Sequence, residues 1–351
     1  MVESVPPRAD TAPDFTPVDL VTGFLGSGKT TLLRRLLAEP ALADTAVLIN
    51  EFGEIGLDHL LLERVDETMV LLSSGCLCCS IRGELAEAIK GLLGRRERGE
   101  VPPFRRLVVE TTGLADPFPI LSTIQAEPVI KHHFRVGTVI ATIDAVNGLD
   151  QIERRFETVR QVAAADRLVV TKTDLVEPVA VARLCAAIRH INPDAPLFSH
   201  GADQVTASRL LSGAESGAER RPPPAGHAGS DDGIPSHGHG EVEAFTLVAA
   251  RPLDWTIFGL WLTMLLHRHG AEILRVKGIL NVVGWDRPVA IHGVQHLVHP
   301  PQHMQAWPDQ DRRSRIVFIV RGLERRAIEE SLAMFEALGE ALGEPRLEVA
   351  G

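Results

Sequence analysis

At 351 residues the chain exceeds one average domain, and its 45% hydrophobic content suffices for sizeable cores. A net charge of −10 argues against a general nucleic-acid binder, which leaves a basic footprint, and no apolar run approaches the roughly 20 residues of a membrane span. Positions 1–17 are proline-rich and polar, without the apolar core of a secretion signal, so they read as a disordered lead and the cytoplasm is the expected compartment.

Leu20 and Val21 close a short apolar run, after which residues 23–30 read G-x-x-x-x-G-K-T. This is the P-loop pattern of strand, glycine-rich turn and helix, and it implies a nucleoside triphosphate site. Gly23, Gly26 and Gly28 adopt backbone angles closed to other residues, which lets consecutive N–H groups turn inward around a phosphate. Ser27 and Thr31 complete the phosphate-binding stretch, and the helix start adds unpaired donors and partial positive charge. Lys29 is placed to reach the outer phosphates and the Thr30 hydroxyl to hold magnesium.

Leu32, Leu33, Leu36 and Leu37 continue a helical stripe that Pro40 ends. The strand expected over 45–49 empties into 50–58, a stretch with three carboxylates (Glu51, Glu54, Asp58) and two glycines. Beside a P-loop such a stretch would order or relax with nucleotide state; a solvated acidic loop is the plain alternative. A strand over 69–72 runs into Cys76, Cys78 and Cys79, and a helix over 81–93 follows. The strand 107–110 ends in Glu110, with Gly113 and Asp116 just beyond. A carboxylate at a buried strand tip acts on magnesium or its waters, and the glycine N–H senses the terminal phosphate. Strands over 136–144 and 168–170 follow, the second leading into Thr171-Lys172-Thr173-Asp174, and 196–199 is a short last strand.

Strands alternating with helices predict an α/β fold: a P-loop NTPase with a mainly parallel sheet and helices on both faces. In such sheets ligands bind at the carboxyl ends of the strands, and every motif above follows such an end. The expected organisation is a nucleotide-binding domain over 18–212, a flexible linker over 213–241 and a small α+β domain over 242–351. The linker histidines His227, His237 and His239 read as solvated filler rather than ligands. The second domain is expected to hold strands at 242–249, 273–283, 289–298 and 316–320, with helices at 255–267 and 323–338. Its His292, His296, His299 and His303 read as structural. Pro300 and Pro301 forbid a continuous helix there, and on a strand the four would not share a face.

Three of the four cysteines crowd into four positions, a poor layout for structural disulfides and one that points to metal or redox chemistry. Thiolates at Cys76, Cys78 and Cys79 suit zinc, cobalt or copper(I) over magnesium. A curved loop is needed to bring all three round one ion. Four-coordinate zinc requires a further donor, for which Glu51 is the candidate. A redox trio and inert buried cysteines are the alternatives.

With these residues in view, the chain resembles the CobW family of P-loop GTPases, often called metallochaperones. The resemblance rests on GFLGSGKTT (23–31), NEFGEIGLD (50–58), GCLCC (75–79), ETTGLADP (110–117), TKTD (171–174) and RVKGIL (275–280). It implies GTP rather than ATP, with Lys172 packing over guanine and Asp174 accepting its hydrogen bonds; Thr171 stands where the base-reading motif usually has asparagine. It also implies a zinc or cobalt cargo, delivered to a client metalloprotein or metal-cofactor biosynthesis enzyme, and a monomer or a nucleotide- or metal-dependent dimer. On this reading Lys29, Thr30 and Glu110 carry GTP hydrolysis with Mg2+, and loss of the γ-phosphate alters the metal site. With no evident arginine finger, slow turnover is expected. The rival readings are a phosphotransferase with a second substrate pocket and a metal store or sensor that uses nucleotide only structurally.

Overall fold

The computed structural model describes residues 15–52, 69–74, 80–199, 205–211 and 242–343. The lead 1–14, the rest of the acidic stretch (53–58), the cysteines Cys76, Cys78 and Cys79, and the linker with its three histidines lie outside the described residues.

The first domain is built on seven parallel strands: β1 (Thr16–Gly23), β2 (Thr45–Phe52), β3 (Met69–Ser74), β4 (Arg106–Glu110), β5 (Phe134–Asp144), β6 (Arg167–Thr171) and β7 (Leu197–Ser199). Their order is β3-β2-β4-β1-β5-β6-β7, so β1 sits at the centre between β4 and β5. Alternation along each strand sends one set of side chains to each face, and both sets are apolar because both faces are covered. Val18, Leu20, Leu48, Leu107 and Val109 meet α2 (Ser80–Glu97) and α3 (Pro117–Ala126) on one face. Val21, Val47, Ile49 and Val108 meet Leu33 of α1 (Lys29–Leu37) on the other. Further along, Ala141, Ile143, Leu168 and Val170 pack against α5 (Phe156–Ala164) and α6 (Pro178–Ile191), which follow the short α4 (Gly148–Arg154). A last turn, α7 (Ala207–Leu211), buries Leu210 with Leu32, Leu36 and Phe198.

The second domain is an antiparallel sheet in the order β11-β10-β9-β13-β8, with β12 (Gln302–His303) also paired to β10. Its strands are β8 (Val242–Ala249), β9 (Ile273–Leu280), β10 (Val289–Val294), β11 (Leu297–Val298) and β13 (Ser314–Arg321). Helices α8 (Trp255–His269) and α9 (Arg325–Gly343) cover one face, where Trp261 packs edge-on against Phe318. The opposite face meets the first domain: Leu274 and Ile319 join the core formed by α5 and α6.

The strand expected over 289–298 is in fact a hairpin. Val294 pairs with Leu297, and Gln295 turns the chain in a left-handed backbone conformation, φ 52°. The turn brings His292 and His299 together, ring centroids 6.5 Å apart, while His303 lies against Trp285 and His296 at the hairpin tip. Among the described residues no group of three or more His, Cys, Asp and Glu is arranged to hold a metal ion. Nor is any described helix long and apolar enough to cross a membrane.

Candidate functional site

Strand β1 ends at Gly23 and α1 begins at Lys29, capped by Gly28 with φ 88° and no side-chain cap. Leu32 N–H bonds back to the Gly28 carbonyl, so positions 29–31 make up the first turn of the helix, where the partial positive charge of the helix dipole gathers. The first turn of α1 contains no acidic residue of its own. Gly23 is required by close approach as well as by its φ of 138°: a Cβ there would lie 2.7 Å from Ser27 Oγ and overlap Thr142 of β5. The loop is braced from below. Buried Ser27 shares a hydrogen bond with Thr142 Oγ1 at 2.7 Å, and the Thr171 hydroxyl at the end of β6 donates to the Ser27 carbonyl at 2.8 Å. Lys29, only 8% exposed, donates from Nζ to the carbonyls of Gly23 (2.9 Å) and Phe24 (3.1 Å), so its ammonium lies across the loop.

From β4, Glu110 Oε1 accepts the Thr30 hydroxyl at 2.5 Å. Two hard oxygen donors converging beside the first turn of α1 form a pair suited to magnesium. Gly113 follows three residues later, so close to the P-loop that a Cβ would sit 2.6 Å from Leu25 Cα. Gln161 of α5, buried on the far side, donates to the carbonyls of Gly113 and Ala115, both at 3.1 Å.

At the other end of the site, Lys172 takes a left-handed conformation (φ 56°) and Nζ donates to Asp144 Oδ2 at 2.6 Å. Burial alone would raise the Asp144 carboxyl. The Lys172 ammonium, the Val146 N–H and the Asn147 amide outweigh it and hold the group below the usual carboxylate range. Asp174 lies exposed in the turn Thr173–Leu175 that follows.

The structure therefore assembles Gly23, Gly26, Ser27, Gly28, Lys29, Thr30, Glu110 and Gly113 around one loop, with Lys172 and Asp174 along the same edge of the sheet. Thr31 is exposed on α1. Sequence reasoning missed Asp144, Thr142 and Gln161. Asp144 carried the same signal as Glu110, an acid at the tip of a buried strand. Thr142 and Gln161 carried none.

On the β2–β3 side the backbone register places Ile49 opposite Glu110 and Glu51 opposite Ser73. Glu51 thus lies one residue before the end of β2, next to the strand that precedes the cysteine segment in sequence, towards the carboxyl edge shared with Glu110.

Residues 17–199 match the nucleotide-binding domain of the CobW/HypB/UreG family, and residues 242–336 match the cobalamin synthesis protein CobW C-terminal domain. The chain belongs to the CobW family. Among CobW relatives, the Escherichia coli zinc chaperone YjiA is 31% identical over 319 residues, spanning 90% of this chain and 97% of its own length. The Pseudomonas aeruginosa zinc chaperone CobW is 30% identical and covers 90% of each chain. The zinc-regulated GTPase metalloprotein activator 1 of Schizosaccharomyces pombe is 35% identical over 191 residues, 52% of this chain and 45% of its own. The crystal structure of Zn(II)-bound YjiA GTPase superposes with a TM-score of 0.66 at 27% identity, over 92% of this chain and 99% of that one.

Proposed function

We propose that this CobW protein binds and hydrolyses GTP, carries a transition metal, zinc or cobalt, at Cys76, Cys78 and Cys79 with Glu51, and uses hydrolysis to drive delivery of that metal to a client metalloprotein. The observation that carries the reading is convergence: the P-loop, Glu110, Gly113 and the ends of β2 and β3 all lie on one carboxyl edge of the sheet. The named activities of the relatives, zinc chaperones and zinc-regulated GTPase activators, support it. The two working domains of this reading are 18–212 and 242–351.

Each residue has a part in this reading. The start of α1 and Lys29 bind the β- and γ-phosphates and meet the charge that grows on the γ-phosphate in the transition state. Thr30 and Glu110 would hold Mg2+, which when bound neutralises phosphate charge. The Gly113 N–H faces the terminal phosphate, and Lys172 and Asp174 take the base. Thiolate cargo at Cys76–Cys79 is soft-metal substrate, and zinc over cobalt follows the relatives' names.

Two measurements on the purified chain test the reading. Phosphate should appear from GTP with no acceptor present, which a phosphotransferase would not do. Zinc or cobalt should bind with an affinity that depends on whether Mg-GTP or Mg-GDP is present, and by linkage GTP affinity should shift by the same factor when metal is added. Equal metal affinity in both nucleotide states would end the coupling. Lys29→Ala should lower phosphate release by on the order of 100-fold or more; a variant that still released phosphate at the parental rate would remove Lys29 from the mechanism.

A further inference from the structure

The tip of the β10–β11 hairpin enters the first domain. Val294 is buried in the core that contains Ile120 and Leu121 of α3, Leu297 packs against the same cluster, and Phe118 stands edge-on to His296. Between Val294 and Leu297 the two-residue turn puts Gln295 at φ 52°, where glycine is the favoured residue. Gln295 is nevertheless buried, and its amide donates to both carboxylate oxygens of Asp116, at 3.4 and 3.1 Å. His296, besides meeting Phe118, bonds the Leu266 carbonyl of its own domain at 2.8 Å, which anchors the turn.

Asp116 is the last residue of the loop that starts at Glu110. One of its oxygens caps α3 by accepting the Phe118 N–H at 3.0 Å, and the other accepts from Arg160 at 2.9 Å. The neighbouring Gln161 holds the carbonyls of Gly113 and Ala115. The stretch facing the terminal phosphate is therefore clamped at one end by α5 and by a glutamine from the other domain.

We infer that Gln295 is a positioning residue of the nucleotide site: acting through Asp116, it holds the Glu110–Asp116 loop in the form that recognises the γ-phosphate, so that the C-terminal domain sets the preference for GTP over GDP. The inference rests on the nucleotide reading above and goes beyond it by giving the second domain a share in triphosphate discrimination. A residue kept in an unfavourable backbone conformation, with its side chain aimed at a loop carboxylate, is explained by this role and not by the needs of the hairpin, which glycine would serve better.

The test compares Gln295→Gly with the parent. Glycine suits the turn, so folding is kept while the amide is lost. The ratio of GTP to GDP affinity, measured by equilibrium titration with Mg2+, should fall roughly fivefold to tenfold. GDP affinity and the melting temperature of the nucleotide-free chain should stay near parental values. Gln295→Glu, which sets a second carboxylate against Asp116, should lower the ratio at least as far. If the parent favours GTP and Gln295→Gly favours it equally, this inference falls and the GTPase reading stands. If the parent binds neither nucleotide, both fall.

Discussion

Thr171 ties the end of β6 to the P-loop through its hydroxyl, a contact between residues 144 positions apart in sequence. Its methyl group also lies against Gly28, 3.4 Å from where a Cβ would stand. The motif TKTD suggests base recognition, yet at position 171 the side chain faces the phosphate loop. A tetrapeptide cannot show which distant carbonyl its hydroxyl will reach. The P-loop itself was legible because its demands are local: left-handed backbone at Gly26 and Gly28, then an uncapped helix start. Thr171→Val keeps the shape and removes the donor, leaving the buried Ser27 carbonyl without it. The expected cost is about 1–2 kcal/mol, read as a lower urea midpoint at unchanged slope, together with weaker nucleotide binding. An unchanged midpoint would show that the hydroxyl contributes nothing to the loop.

Among the elements, the parallel strands were legible as apolar runs because both faces of the sheet are covered, whereas the β10–β11 hairpin was not. Its turn is Gln-His, without the glycine or asparagine that marks a two-residue hairpin, so alternation appeared to run straight through from 289 to 298. Burial by the other domain overrides the local preference there. The loop after β4 shows the opposite case, in which a glycine is forced by tertiary contact alone. Gly113 packs backbone to backbone against Leu25, and the added methyl of Gly113→Ala would have to push the two loops apart. Overpacking of this kind costs about 1–3 kcal/mol. The variant should melt at a lower temperature and lose GTP affinity more than GDP affinity, because the displaced segment is the one assigned to the terminal phosphate. Calorimetric titration with each nucleotide measures this, and equal losses for both would place Gly113 away from the γ-phosphate.

At the scale of the whole molecule, the motif RVKGIL proves to be an interdomain joint as well as a strand. Arg275, 7% exposed, reaches out of β9 to the Ala164 carbonyl and the Asp166 carboxylate at the end of α5. His299 sits at this joint, its backbone N–H bonded to the His292 carbonyl at 2.8 Å. Burial pushes the His299 imidazole down to about 4, with Arg275 acting in the same direction and Asp166 opposing. An unfolded chain takes up this proton near pH 6.5, while the folded chain refuses it until about pH 4. Between those values the unfolded state holds this proton and the folded state does not, so the His299 contribution to stability falls as the solution is acidified through that window and is constant below it, where depressed carboxylates such as Asp144 take over the pH dependence. The sign is opposite to that of a histidine paired with a carboxylate alone, because here desolvation and Arg275 outweigh Asp166. His299→Gln removes the titration, so its stability curve should be flatter than the parent's between pH 6.5 and 4, the two slopes differing by close to one proton. Chemical denaturation at half-unit steps of pH reads the difference. Parallel curves would mean that His299 protonates in the folded protein as readily as in the unfolded chain, and that the joint between the domains is open to water.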